Sequence, residues 1–464
     1  MILKRTVILL LFLGMASVQA EEEGSTPKAR IEKLRKACAL KHARLGIWAS
    51  GKKLGLEARA HLNTAVHLDP ACGRARVKLG HRRGSDGRWD TSRKRKIPDD
   101  ASARKKYDEQ ILERRLELYE EEARAYAELA LSLRGEGRPD LARDLFLHAH
   151  FLAPRLEDTA EGLHLKRCEK GLAPEAIAKE VEETPSATKP GGSTMLGGVG
   201  GARTKVRVCG AVVAEVAGPE PTAKRIAVLA NRALVYTVRR FSREIIPDDW
   251  VWLVLTSGPE QFCRFLDGMP MDQGARNTWK TIGSARIFQP RHCVATFYLP
   301  DSGDPFQDGA PILIHMMAEN IVMTLGGPNV PWWLIEAVGV DAELTVLGRP
   351  KTLCVTVESS QGLTLKDDFD DLRRWPATLC RLAALGDLPR LEHLRTAQVQ
   401  ALSPEDVVVG HAYYRLLSLT RPEGAARYFA LLREGRDEAE AFREAFNATH
   451  EEITGELYRV LLGR

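Results

Sequence analysis

One arrangement of small residues, used twice, restricts the first third of the chain more than any other feature. In LGIWASGKKLGLEARAHLNTAVHLDP, Gly46 and Ala58 carry almost no side chain, so two antiparallel helices bearing them can approach closely. Leu45, Leu62 and Ala65 supply apolar contact, and Pro70 ends the second helix. Leu129, Ala130, Ala142, Phe146, Ala149 and Pro154 repeat the pattern, each 84 residues after its counterpart (142 − 58, 154 − 70).

These spacings resemble those of tetratricopeptide helical hairpins. The interval is not a multiple of that family's usual period of about 34 residues, so an insertion separates the two units. The insertion reads as a helix near 72–80, a turn-rich loop (RRGSDGRWDTSRKRKIPDD) and a long helix from about Ala103. In that helix Leu112, Leu116, Tyr119, Ala123, Tyr126, Ala130 and Leu133 alternate spacings of four and three, which makes one apolar stripe. The basic run Arg93-Lys94-Arg95-Lys96 reads as a solvated loop.

At 464 residues the chain exceeds what one hydrophobic core usually organises, about 250–300 residues. The expected division is an export signal over 1–20, a helical domain over 21–170, a Gly/Pro/Ser/Thr-rich flexible linker over 171–205 and an α+β domain over 206–464. Lys4 and Arg5 precede an apolar stretch, Thr6–Met15, and a small-residue cleavage pattern, Val18-Gln19-Ala20. The alternative is an uncleaved anchor. Export predicts a periplasmic or extracellular protein with no membrane span beyond the signal. A net charge of +5 gives no field suited to nucleic acid. The eight cysteines show no CxxC spacing and read mostly as buried free thiols.

In the second half, KVRVCGAVVAEVAG reads as a strand or hairpin, TAKRIAVLANRALVYTVRRFSREI as an amphipathic helix and WVWLVLTS as a strand before the helix GPEQFCRFLDG. Strands at ARIFQP and HCVATFYLP follow, with His292 structural, and a helical remainder begins at Ile312.

The segment LIHMMAENIV places His315 and Glu319 four residues apart, on one face of a helix, and WLIEAVGVDAE places Glu336 on the next. With Pro331, Trp333, Leu334 and the AFxxAF tail, roughly residues 224–464 resemble gluzincin, peptidase MA-like zinc peptidases. Ala337 stands where that family usually has Gly. The resemblance makes His315, Glu319 and Glu336 the ligand positions and assigns Met316 the place of the general base. A thioether accepts no proton from water near neutral pH, so no catalytic residue is expected.

Two readings stay open. One is an exported pseudopeptidase that binds or scaffolds a protein or peptide, its former ligands hydrogen-bonded to one another and no cofactor held. The other is an atypical zinc-dependent metallohydrolase with ligands His315, Glu319 and Glu336, for which Glu343 is the first suspect as base, the alternative for it being a surface carboxylate or one that supports the ligands. Trp332, Trp333, Glu343, His411, Tyr413 and Tyr414 are possible cleft residues, the resemblance suggesting a Tyr or His from the downstream helix beside an oxyanion; core packing or interface contact is the alternative for the aromatics. No Ser nucleophile elbow, P-loop or dinucleotide fingerprint occurs.

Overall fold

The structure is a computed structural model that describes residues 26–191, 195–196, 204–242, 250–288, 292–299, 303–352, 354 and 369–464. The expected signal over 1–20 lies outside the described residues. These residues are mostly helical, 18 helices in all, with a mixed six-stranded sheet. None of the helices is long and apolar enough to cross a membrane. The chain forms two compact units. The first takes the chain up to Leu163 together with Pro376–Asp387 and Tyr458–Arg464; the second takes His164–Trp375 and Leu388–Leu457.

The first unit begins with α1 (Pro27–Gly51) and α2 (Gly55–Leu68). Their packing is as close as the small residues predict. A Cβ on Gly46 would stand 2.8 Å from Cγ of Leu62 and 3.1 Å from the Ala58 carbonyl oxygen. A short helix, α3 (Gly73–Leu79), and a two-residue hairpin, β1 (Arg82–Arg83) with β2 (Trp89–Asp90), follow. The long helix α4 (Ala101–Gly135) starts where Asp100 accepts hydrogen bonds from the amides of Ser102 and Ala103. Its stripe is buried except at Leu116, which is half-buried. Helix α5 (Pro139–Leu152) buries Ala142, Phe146 and Ala149, and α6 (Glu157–Gly162) completes the segment.

Four of the polar side chains buried in this unit form one cluster. His42 Nε2 donates to Glu122 at 2.9 Å, His148 Nε2 lies 3.4 Å from the other Glu122 oxygen, and the Nδ1 atoms of His42 and His61 are 3.0 Å apart. His148 Nδ1 donates to the Val460 carbonyl at 2.6 Å. Burial, reinforced by His42, pushes the pKa of His61 well below the ordinary 6.5. The unfolded chain therefore takes up this proton first, so the contribution of His61 is intact above about pH 6.5 and is lost as the pH falls below it. Denaturant titrations should show stability falling from pH 6.5 toward pH 5 by up to about 1.4 kcal/mol per unit from this group. His61→Gln should flatten that slope, and an unchanged slope would refute the assignment.

In the second unit β3 (Leu165–Cys168) and β4 (Gly171–Pro174) form a hairpin, followed by α7 (Glu175–Glu182) and β5 (Lys189–Pro190). The expected linker over 171–205 is thus corrected in its described part. Ile177 and Val181, four residues apart, are buried in a cluster with Cys168, Ala173 and Tyr236, and β5 pairs with the next strand. The boundary also moves, to Leu163/His164.

Strands β6 (Lys205–Cys209) and β7 (Val212–Val216) form the expected hairpin; α8 (Glu220–Phe241) then leads to β8 (Val251–Ser257). Helices α9 (Gly258–Asp267) and α10 (Gln273–Ile282) precede β9 (Ser284–Ile287) and β10 (His292–Tyr298). The sheet order is β5-β6-β7-β8-β10-β9, with β8 parallel to both neighbours and the other pairs antiparallel. Central parallel strands covered on both faces call for continuous apolar runs, which β8 supplies over Val251–Leu255; β7 is buried throughout but carries Glu215, whose carboxylate accepts from the amides of Met195 and Leu196. Trp252 and Val254 pack with Phe262, Phe265 and Leu266 of α9 on one face. Leu255 points to the other, where Gly309 of α11 (Pro305–Gly326) backs onto it.

Helix α11 starts seven residues before the expected Ile312. Asp304 caps it by accepting from the amides of Phe306 and Gln307. Pro311 leaves the Gln307 carbonyl without its helical N–H donor, and Lys351 Nζ supplies a hydrogen bond to that oxygen at 3.1 Å. After α12 (Trp332–Leu347), the described chain runs to 352, includes 354, and from 369 continues through α13 (Arg374–Leu385), α14 (Leu391–Leu394), α15 (Pro404–Thr420), α16 (Gly424–Arg433), α17 (Glu438–Phe446) and α18 (His450–Leu461).

Candidate metal centre

Helices α11 and α12 pack side by side and bring three predicted positions together. His315 and Glu319 leave α11 one turn apart, and Glu336 faces them from α12; all three are wholly buried. Close approach depends on Gly339. A Cβ there would meet the His315 ring atoms Cε1 and Nε2 at 2.7 Å, so the imidazole lies directly on the α12 backbone.

Glu343, two turns after Glu336, fixes the ring. His315 Nδ1 donates to Glu343 Oε1 at 2.8 Å, while Glu343 Oε2 accepts from the amides of Lys351 at 2.6 Å and Thr352 at 3.3 Å. Of the readings of Glu343, these contacts fit the carboxylate that supports a ligand rather than the base: its oxygens are engaged in orienting His315 and the following loop. With Nδ1 protonated, Nε2 is left as the atom facing the carboxylates. It lies 3.6 Å from Glu319 Oε1 and 3.6 Å from Glu336 Oε2.

A fourth group joins them. Ligating atoms of His315, Glu319, Glu336 and Cys354 all lie within 4.8 Å of one another. Arg286, from β9, holds the second oxygen of Glu319 at 2.9 Å, and its guanidinium lies 5.5 Å from the centre of the Trp332 ring. Cys354 and Arg286 were not legible as site residues: one is a lone cysteine 18 residues beyond Glu336 (354 − 336), the other a single arginine in an edge strand.

The electrostatics follow from burial and crowding. Burial works against charge on His315, but Cys354 and Glu319 outweigh it and hold its pKa well above the usual imidazole value. Burial likewise opposes ionisation of Glu319, and Arg286 and His315 outweigh it, lowering its pKa. Glu336 is raised by burial and by the charge of Glu319. Burial and the two carboxylates push the Cys354 thiol up to about 12. A cation among these groups would reverse the balance for the thiol.

The residues present fit a metal ion. His315 Nε2, Glu319 Oε1 and both oxygens of Glu336 are buried without a hydrogen-bond partner, although such groups are nearly always satisfied. A separation of 3.6 Å is too long for a direct hydrogen bond. Donors sharing a tetrahedral zinc at 2.0–2.3 Å would be separated by about 3.3–3.8 Å. The expectation that the former ligands hydrogen-bond one another is therefore corrected for these atoms.

The other predicted residues sit elsewhere. Met316 is buried beside His315 in sequence. Trp333 is a core residue and Trp332 is half-buried against Arg286. His411 Nε2 lies 3.2 Å from Asp341, Tyr414 accepts from Arg240 Nε at 3.1 Å, and Tyr413 donates to the Pro389 carbonyl at 2.9 Å. These contacts place the three side chains in packing networks rather than in a cleft. All eight cysteines are free.

No protein-family model matches the chain, and neither does any curated protein or solved structure.

Proposed function

We propose that this chain is an exported scaffolding or peptide-binding protein, in which a tetratricopeptide-like helical unit accompanies a peptidase MA-like unit that does not cleave. Export by the segment 1–20 would deliver it to the periplasm or the extracellular space. Helical hairpins of this kind present side chains that can hold an extended or helical partner segment.

One observation carries the loss of hydrolysis: neither Met316 nor Glu343 offers a free proton acceptor beside the ligand positions. Met316 follows His315 where the base would stand, and Glu343 is committed to the imidazole and two backbone amides. Removing a general base alone typically lowers a rate by about 10² to 10⁴. Complete burial of His315, Glu319 and Glu336 further denies a substrate carbonyl access to them.

The second reading, an atypical zinc-dependent hydrolase using His315, Glu319 and Glu336, draws on the convergence of those same head groups. Incubating a peptide library with the purified chain separates the two. The expected result is no cleavage above a no-protein control; cleavage that a chelator abolishes would establish the hydrolase.

A further inference from the structure

We propose that His315, Glu319, Glu336 and Cys354 form a closed zinc site in which the Cys354 thiolate takes the position that water holds in a catalytic centre, so that the ion stabilises the second unit. The inference goes beyond the scaffolding reading and does not depend on it.

Four observations converge. The donor set of one imidazole nitrogen, two carboxylate oxygens and one sulfur lies within 4.8 Å, so a tetrahedral ion with edges of about 3.3–3.8 Å would draw the widest pair together by about 1 Å. Sulfur with imidazole favours zinc over calcium or magnesium, which take oxygen ligands. The unpartnered atoms in the pocket, His315 Nε2, Glu319 Oε1 and both Glu336 oxygens, belong to three of the four ligands. Coordination would satisfy donor atoms that the protein otherwise leaves bare.

Charge also balances. Two carboxylates and one thiolate carry three negative charges; a zinc dication and the Arg286 guanidinium, bound to Glu319, carry three positive ones, while the Glu343 carboxylate behind His315 is held by two backbone amides. The thiol must lose its proton on binding, and so must any other ligand atom that carries one in the empty pocket, so metal uptake releases protons to solvent.

The supporting contacts act on two ligands through one side chain. Glu343 holds Nδ1 of His315, which aims Nε2 into the pocket, and also holds the amides of Lys351 and Thr352, just ahead of Cys354. Four protein ligands complete a tetrahedral shell, and a shell without an open position is the mark of a structural zinc rather than a catalytic one.

The test uses the full purified chain. Elemental analysis should find about one zinc per chain, and chelation should lower the thermal midpoint. Refilling with Co²⁺ should give visible bands of tetrahedral intensity and a near-ultraviolet thiolate-to-cobalt band. Cys354→Ser should lose that near-ultraviolet band and bind Co²⁺ at least about tenfold more weakly, while Cys263→Ser should leave both unchanged. His315→Ala should abolish uptake; should that variant not fold, Cys354→Ser and Cys263→Ser still decide the matter. Zinc bound with no thiolate band would overturn the assignment of Cys354 while leaving a metal pocket. Absence of zinc after purification, together with no Co²⁺ uptake, would overturn the whole site. Neither result bears on peptide cleavage, which the library digest reads separately.

Discussion

Replacing Asp341 with alanine is expected to destabilise the second unit by about 3–5 kcal/mol, the range found when one partner of a buried ionic cluster is removed. Asp341 lies on α12 with 3% of its surface exposed. Its carboxylate accepts from the Tyr236 hydroxyl, lies 3.2 Å from His411 Nε2 and stands 3.5 Å from Arg415 Nη1. Burial alone would favour the neutral acid, but Arg415 and His411 outweigh it and hold Asp341 well below the usual carboxylate range. Removal would strand a guanidinium, a phenol and an imidazole in the interior. Urea unfolding followed by circular dichroism reads the loss, and a change below about 1 kcal/mol would show that the cluster relaxes or hydrates at little cost. Zinc content in the folded fraction should be unchanged, because Asp341 contributes no atom to the His315 pocket.

Glu122→Ala should have a comparable effect on the helical unit, about 3–5 kcal/mol. Glu122 is 1% exposed and faces His42 and His148 with its two oxygens. Burial opposes its ionisation, yet the two imidazoles prevail and depress its pKa below 4.5. A depressed carboxylate contributes stability that is present above the unfolded value, about 4.5, and is lost as the pH falls through the folded one. The difference between the natural chain and Glu122→Ala should therefore be full at pH 7 and narrow progressively below about pH 4. A difference that stays constant down to pH 2 would show that the carboxylate is retained for its shape and packing rather than its charge.

How much was legible from residues alone depended on whether a feature is local. Gly46 and Ala58 signalled a close helix pair because only small residues permit it, and the structure puts Leu62 against Gly46. The i, i+4 placement of His315 and Glu319 follows from helix geometry, and the two side chains do meet. Glu336 required a resemblance, since no spacing rule links residues on different helices. Cys354 carried no such signal. Its position depends on how the chain after α12 turns back, and that turn is held by amides whose hydrogen bonds to Glu343 leave no mark in composition. Helix α7 was hidden differently: its short apolar pair, Ile177 and Val181, is diluted by the Gly- and Ser-rich stretch that follows. His411, Tyr413 and Tyr414 are open to either a catalytic or a packing reading from sequence. Polar aromatic residues downstream of a candidate site invite a catalytic reading, but each is occupied by a partner in the fold.

The interleaving of the two units constrains the order of assembly. Val460, whose carbonyl receives the His148 imidazole, is 312 residues further along the chain, and Arg464 reaches His67 across 397. During synthesis the early hairpins must wait for these late partners, holding buried polar groups half-satisfied while the intervening unit is made. Nascent chains arrested shortly before Tyr458 should accordingly be cut by protease within the early hairpins and become resistant only when the closing stretch emerges.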